Sequence, residues 1–115
     1  MLGLTDRHAL EHHPKVGASW EGYAVEEVLK ALQPDDAYYW ATHSGAELDL
    51  LLFKDGRRIG VECKRADAPT LTPSMRIALR DLKLDELRVV YPGTNRYPLG
   101  QNVEAVPLAD FVGAE

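Results

Sequence analysis

Residues 45–65 read GAELDLLLFKDGRRIGVECKR and contain two apolar runs on either side of Asp55-Gly56. An Asp-Gly pair between apolar runs is the strongest short-range signal for a β-hairpin, because a tight I′ turn needs positive φ at both positions. Side chains alternate between the two faces of a strand. The odd-numbered residues 47 to 53 are therefore expected on one face and the even-numbered residues 48 to 52 on the other. On the second strand, Glu62 and Lys64 are expected on the face opposite Cys63.

The length of the turn fixes which residues of the two strands face each other. A two-residue turn at positions 55 and 56 pairs 54 with 57, 53 with 58 and 51 with 60. It also places Asp49 opposite Glu62 and Glu47 opposite Lys64. Two carboxylates directly opposite each other destabilise a sheet, and a chain tolerates them where a cation or a catalytic lysine lies between them. The pairing therefore predicts a site.

Composition indicates one folded domain. The chain has 115 residues, 45% of them hydrophobic and 27% charged, which is enough for a single core. Its net charge of −5 argues against nucleic-acid binding except through a local basic patch. The single cysteine, Cys63, excludes a disulfide framework and is expected in the core. No apolar run reaches the length of a membrane span and no signal peptide is evident, so we expect no membrane contact and a cytoplasmic location.

The strongest helix signal covers residues 18–33, with Ser19 as the N-cap. At about 100° per residue, Glu21 lies within roughly 40° of Val25 and Val28, in the middle of the apolar face. Two interpretations remain. Glu21 is a site residue directed at the core, or it rests at the core edge, where a carboxylate near a helix N-terminus favours the dipole.

The remaining elements follow from turn and cap residues. We expect an arm over residues 1–17 with a short helix over 4–12, a strand over 38–43, and a second helix over 73–82 capped by Thr72 or Ser74. We then expect a strand over 87–91, a loop over 95–100, a strand over 103–106, a helical turn over 108–112 and a tail over 113–115. Residues 18–112 would form the single domain.

Besides Arg57, Arg58 and Arg65, one basic stripe is the only candidate patch for phosphate contacts. Its three residues fall at helical spacing along the second predicted helix, and Arg65 follows the hairpin. Such a stripe is usually a solvated face, but it is also the local patch that DNA binding would require. The candidates are Arg65, Arg76, Arg80 and Lys83.

The order helix, three strands, helix, strand, with Glu21, Asp49 and then Glu62 and Lys64, resembles the PD-(D/E)XK nuclease-like superfamily. More narrowly, HPKVGASWEGY (13–23), YYWATHSGAELDLLL (38–52) and GVECKR (60–65) resemble the uncharacterised domain that follows an AAA-type ATPase domain in many bacterial and archaeal proteins. The likeness covers residues 13 to 111. It implies an α/β fold with a restriction-endonuclease-like αβββαβ core, a central mixed sheet that contains an antiparallel meander and is flanked by helices.

The resemblance also implies roles for four residues. Asp49 and Glu62 would bind Mg²⁺ or Mn²⁺, and Glu21 would bind the ion or orient one of its waters. Lys64 would stabilise charge as a DNA phosphodiester is hydrolysed, which would make the domain a metal-dependent endonuclease. Resolvase-like relatives act as dimers, so a homodimer is implied as well.

Two departures keep other functions open. The chain is acidic, and it contains no GxxxxGK[ST] phosphate loop, so any ATPase domain would be a partner or a missing part of a longer chain. The alternatives to a nuclease are a non-catalytic module that docks onto an AAA-type ATPase domain or another partner, and a structural remnant with exposed acids on an open sheet.

Overall fold

The computed structural model describes residues 2–3 and 19–112, and within them it shows one sheet of seven strands with two α-helices. The strands are β1 (Leu2–Gly3), β2 (Asp36–Ala41), β3 (Glu47–Lys54), β4 (Arg57–Cys63), β5 (Glu86–Tyr91), β6 (Tyr97–Gly100) and β7 (Val103–Pro107), in the spatial order 1-2-3-4-5-7-6. The helices are α1 (Trp20–Leu32) and α2 (Pro73–Asp81), and a 3₁₀ turn covers Leu108–Asp110.

The sheet is mixed, as predicted. Strands β2, β3 and β4 form an antiparallel meander, after which α2 returns the chain so that β5 pairs parallel to β4. Strand β7 continues parallel to β5, and β6 closes the far edge antiparallel to β7. The predicted order of helix, three strands, helix and strand is the observed order from residue 20 to residue 91.

The hairpin turn has the predicted form. Asp55 and Gly56 have φ angles of 52° and 79°, so both turn residues lie in the left-handed region that a tight hairpin requires. The ladder between β3 and β4 then runs from Lys54–Arg57 back to Leu50–Val61 in the expected register.

Both helices begin at predicted caps. The Ser19 hydroxyl accepts a hydrogen bond from the Gly22 N–H at 3.0 Å. Of the two candidates for the second helix, Thr72 is the cap, and its hydroxyl accepts from the Met75 N–H at 3.2 Å. These bonds satisfy N–H groups that have no partner inside the helix.

The predicted faces of β3 need one correction. The register of β2 against β3 shifts between Tyr38 and Trp40, so Asp49 and Leu50 together oppose a single residue of β2. A bulge of this kind breaks the two-residue alternation. Leu48 therefore packs on the α2 side of the sheet and not with Leu50, which packs on the α1 side.

A hydrophobic cluster covers each face of the sheet. On the α1 side, Ala24, Val25 and Val28 of α1 pack on the sheet around Leu50, Val61, Cys63 and Val90. On the α2 side, Met75 and Ala78 of α2 pack with Leu48, Leu51, Leu87 and Val89. Burial of Cys63 among apolar residues confirms its predicted core position.

Other predictions differ in their bounds. Residues 95–100 were expected as a loop, whereas Tyr97–Gly100 forms the edge strand β6. Pro98 suggests a loop in the sequence, but an edge strand tolerates proline because one row of its N–H groups needs no partner. The expected strand over 38–43 runs from Asp36 to Ala41. In the arm, Leu2–Gly3 pairs with β2, while the helix expected over 4–12 and the tail over 113–115 lie outside the described residues.

Candidate functional site: a fork between two strands

The candidate site lies where β3 and β4 stop pairing. Their ladder ends at Leu50–Val61, one pair before Asp49 and Glu62. Beyond that point, side chains replace main-chain acceptors. The Asp49 N–H donates to Glu62 Oε1 at 3.1 Å, and the Cys63 N–H donates to Asp49 Oδ2 at 2.8 Å. The two acids are thus adjacent, as the hairpin register predicted, but they meet through side chains in a fork between the strands.

The fork forms because the two edges of β4 have different partners. On the β5 side, pairing continues through Cys63–Val90, and the Lys64 N–H donates to the Val90 carbonyl at 2.8 Å. On the β3 side, the bulge at Asp49 ends the regular ladder. Strand β4 therefore stays in the sheet while its β3 edge opens.

Both carboxylates are buried. Asp49 is 3% exposed and Glu62 is 7% exposed. Burial in a medium of low polarity disfavours ionised groups, and two adjacent carboxylates add mutual repulsion. Each makes a further polar contact besides the two amide bonds. Two adjacent buried carboxyl groups are an arrangement that occurs at binding and catalytic sites and also in structural networks.

Lys64 lies at the edge of the fork. Its Nζ is 3.4 Å from Glu62 Oε2, and its side chain is 40% exposed. The main-chain bond to Val90 holds the residue at the end of β4. Its ammonium group is therefore next to the buried acids and open to water, where it can contact an anion.

Glu47 does not pair with Lys64, contrary to the predicted register. Its Oε2 accepts a hydrogen bond from the Tyr39 hydroxyl at 2.7 Å. Because the β3–β4 ladder has already ended, Glu47 faces Ala41 of β2, and Lys64 pairs with Glu62. Glu47 therefore belongs to the β2 side of β3.

Glu21 is partly buried in the first turn of α1, and α1 packs against β4. Among the described residues, no hydrogen bond or ion pair joins Glu21 to Asp49, Glu62 or Lys64. Within the same residues, no group of three or more His, Cys, Asp or Glu side chains has the arrangement of a metal site. The structure thus brings three of the four predicted residues together and leaves Glu21 on the neighbouring helix.

The two acids form a donor set that suits a hard divalent cation. Mg²⁺ is commonly bound through one or two carboxylates while it keeps several waters. Asp49 and Glu62 supply two carboxylates within one fork, and Lys64 lies beside them. The chemistry of these two donors therefore fits Mg²⁺ or Mn²⁺.

The four predicted DNA-contacting cations are all at the surface: Lys83, Arg80, Arg76 and Arg65. Arg65 directly follows the fork. The other three extend from the start of α2, which lies against the first residue of β3. There the Ser74 hydroxyl accepts from the Glu47 N–H at 2.9 Å and donates to the Glu47 carbonyl at 3.1 Å.

A second charged cluster, which we did not predict, crosses the sheet at the other end of β4. Arg57 and Arg88 pair with Glu86 at 3.1 and 2.6 Å, and Arg96 pairs with Glu104 at 2.8 Å. The hydrogen bonds from Arg96 hold the pKa of the Glu104 carboxyl below its usual value. No sequence signal marked this cluster, because the residues come from four separate strands or loops. Its charges compensate one another, as in a structural network.

The comparisons with known proteins identify relatives but no activity. Over 107 residues, 93% of this chain, the sequence is 50% identical to Uncharacterized protein Rv2008c of Mycobacterium tuberculosis and to Uncharacterized protein Mb2031c of Mycobacterium bovis. The chain spans 24% of the length of each. No solved structure matches. Residues 16–111 match the family described as Domain of unknown function (DUF4143), a domain that is known to follow AAA ATPase domains. The chain belongs to the DUF4143 family.

Proposed function

We propose that this domain is a metal-dependent phosphodiesterase that cleaves DNA within a PD-(D/E)XK nuclease-like fold. The supporting observation is the fork, where the buried carboxylates of Asp49 and Glu62 lie side by side with Lys64 at the water edge. Desolvation and mutual repulsion both oppose the burial of two adjacent acids. A bound cation would offset both costs.

The fold supports this proposal through the position of the acids. The order of elements from residue 20 to residue 91 is that of an αβββαβ core. Asp49 lies on the second strand of the meander, and Glu62 and Lys64 lie at the end of the third. The restriction-endonuclease-like arrangement predicts acids and a lysine on these two strands.

Each residue at the fork has a role in this proposal. Asp49 and Glu62 would hold Mg²⁺ or Mn²⁺, with Glu21 orienting a water molecule. The bound ion would polarise the scissile phosphodiester and promote ionisation of the attacking water. Lys64, with its ammonium open to solvent, would donate hydrogen bonds to the phosphate oxygens as negative charge develops on them.

DNA would lie across the open side of the fork. Arg65 is exposed directly after Lys64, and it would contact a phosphate next to the cleaved one. Arg76, Arg80 and Lys83 would extend phosphate contacts for DNA that runs along α2. A cytoplasmic location, where DNA is accessible, belongs to the same proposal. Within the described residues, no helix is both long and apolar enough to cross a membrane.

A cleavage assay tests the proposal. Supercoiled and branched DNA are incubated with the chain in Mg²⁺ or Mn²⁺, and the expected result is nicking that EDTA prevents. Asp49→Asn and Lys64→Ala should abolish cleavage. Glu47→Gln and Lys54→Ala are matched controls, since Glu47 contacts Tyr39 and Lys54 lies at the far turn, and both should leave cleavage intact. Absence of cleavage in the wild type, or equal cleavage by Asp49→Asn, would contradict the proposal.

A second candidate is a non-catalytic module of an AAA-type ATPase. It is favoured by the hydrogen bonds that Asp49 and Glu62 accept from main-chain N–H groups, which give both acids a structural use at the end of the ladder. It is also favoured by the family, whose domain is known to follow AAA ATPase domains. This function predicts binding to the ATPase part of the longer relatives, with no stabilisation by Mg²⁺ or Mn²⁺.

A further inference from the structure

A groove lies on the α2 side of the sheet, away from the fork. It is an open depression of about 500 Å³ between α2 and the turn at residues 101–102. The side chains that line it include Leu71, Leu79 and Leu84, together with two cations, Arg76 and Arg80, which we call its rim. An open depression with a mixed apolar and charged lining suits contact with a protein surface more than enclosure of a small molecule.

The cations on the rim are available to a partner. Among the described residues, Arg76 makes no ion pair, and Arg80 pairs only with its sequence neighbour Asp81, at 2.9 Å between exposed groups. Such an exposed pair contributes little to stability. Acidic residues outnumber basic ones on this chain, 18 to 13, so the cationic rim of one copy will attract acidic surfaces of another.

A surface of complementary character lies on α1. Tyr23 is 46% exposed, and within the part of the chain that the structure describes few large apolar side chains are as exposed. Glu27 lies one helical turn from Tyr23 on the same face and pairs with Lys30 at 3.2 Å. Glu26 is exposed and makes no ion pair among the described residues, so it is the acid available to a partner. We call Tyr23, Glu26 and Glu27 the α1 ridge. Tyrosine beside acids is complementary to an apolar groove rimmed by arginines, and Tyr and Arg are the residue types that dominate protein interfaces.

We propose that the α1 ridge of one copy docks into the α2 groove of a second copy. The two helices pack on opposite faces of the sheet, α1 with one hydrophobic cluster and α2 with the other. A copy therefore cannot occupy its own groove, and the contact joins two different surfaces head to tail. One such contact leaves a free groove on one copy and a free ridge on the other, so further copies can add to form rings or open chains.

This contact is independent of the proposed cleavage, but it uses two of the cations proposed to contact DNA. In the assembly, Arg76 and Arg80 face protein and Arg65 stays open beside the fork. The two uses are distinguishable, because association through the groove needs neither DNA nor a divalent ion. It should weaken as salt screens the ion pairs.

The test measures mass against concentration by light scattering or sedimentation, in buffer with EDTA and without DNA. Wild type should rise above the 12.8 kDa of one chain as its concentration increases. Arg76→Glu in the groove and Glu26→Arg on the ridge should each remain monomeric. The matched controls Arg65→Glu and Asp67→Arg change the same charges at exposed positions elsewhere and should associate like wild type.

Mixing the two variants gives a sharper result. The intact ridge of Arg76→Glu can bind the intact groove of Glu26→Arg, and the reversed charges of the two variants also complement each other. The mixture should therefore regain the concentration-dependent association that neither variant shows alone. A monomeric wild type, or association unaffected by both variants, would overturn the proposal. So would Arg76→Glu that loses DNA binding while its association is unchanged, since the groove cations would then contact nucleic acid.

Discussion

Replacing Asp49 by asparagine or by alanine separates the two roles that its carboxylate can have. In the structure, Asp49 Oδ2 accepts a 2.8 Å hydrogen bond from the buried Cys63 N–H. Asparagine keeps an oxygen that can accept this bond and loses the charge. Alanine loses both, and it leaves the Cys63 N–H without that acceptor. The difference in unfolding free energy between the two variants therefore measures the hydrogen bond. The stabilisation by Mn²⁺ that both variants lose measures the role of the charge.

The magnitude follows from burial. Leaving a buried donor unsatisfied costs about 1–3 kcal/mol. Asp49→Ala should thus be less stable than Asp49→Asn by about 1–3 kcal/mol. For a domain near this size, a change of 1 kcal/mol corresponds to a shift in melting temperature of roughly 4–8 °C. Replacing one of two adjacent carboxylates by an amide also removes their mutual repulsion. In metal-free buffer, Asp49→Asn should therefore lose little unfolding free energy relative to wild type.

The assay is urea unfolding at pH 7 in EDTA, followed by the same series with added Mn²⁺. In EDTA, the order of stability should place Asp49→Asn above Asp49→Ala. With Mn²⁺ at about 100 times its dissociation constant, wild type should gain about 2.7 kcal/mol, and neither variant should gain. Equal stability of the two variants in EDTA would refute the hydrogen-bond argument. A Mn²⁺ gain that persists in Asp49→Asn would refute the role of its charge.

Three further changes test the fold and its electrostatics. Gly60→Ala should lower the free energy of unfolding by about 1–3 kcal/mol in urea titrations, because a β-carbon there lies 2.6 Å from a methyl of the buried Leu84; unchanged stability would contradict the close packing of β4. Gly56→Ala should cost roughly 1 kcal/mol, since alanine is strained at a φ of 79°, and a neutral result would contradict the turn. Glu104→Gln tests pH dependence: hydrogen bonds from Arg96 lower the folded-state pKa of Glu104 below its ordinary 4.5, so its contribution is present above that value and is lost as pH falls through the folded pKa. The stability difference between wild type and Glu104→Gln should be modest at pH 7, because the side chain is 43% exposed, and should shrink in unfolding curves below pH 4; a difference that grows in acid would contradict the sign.

The hairpin and helix boundaries could be predicted because local chemistry determines them. Asp55-Gly56 sets the turn and thereby the register down to Leu50–Val61, and Ser19 and Thr72 begin their helices through side-chain bonds to nearby N–H groups. These signals lie within a few residues of what they control. The adjacency of the two acids also follows from the register.

The fork and the bulge could not be predicted from alternation. Alternation assumes a regular ladder, whereas Asp49 and Leu50 share one partner on β2, and so Leu48 joins the opposite face. Whether a ladder ends depends on the strand on the other side as well, here on the bulge that β3 forms against β2 at Asp49. Because the ladder ends before Glu47, Lys64 pairs with Glu62 and not with Glu47, its predicted partner.

Edge strand β6 and the charged cluster around Glu86 could not be predicted from the sequence for a related reason. Tyr97–Gly100 becomes a strand only through pairing with β7, and its proline reads locally as a loop signal. Glu86 and Glu104 meet their arginines across strands that are distant in sequence. Non-local pairing decides both features, and no short sequence pattern encodes it.

A calorimetric titration of the chain with Mn²⁺ tests the central claim most directly, because it asks whether the acids of the fork bind a cation at all. The proposed function predicts saturable binding to wild type and to Glu47→Gln, and no binding to Asp49→Asn or Glu62→Gln. Binding that is absent from wild type, or equal in wild type and Asp49→Asn, would contradict the assignment of the fork as a metal-dependent active site.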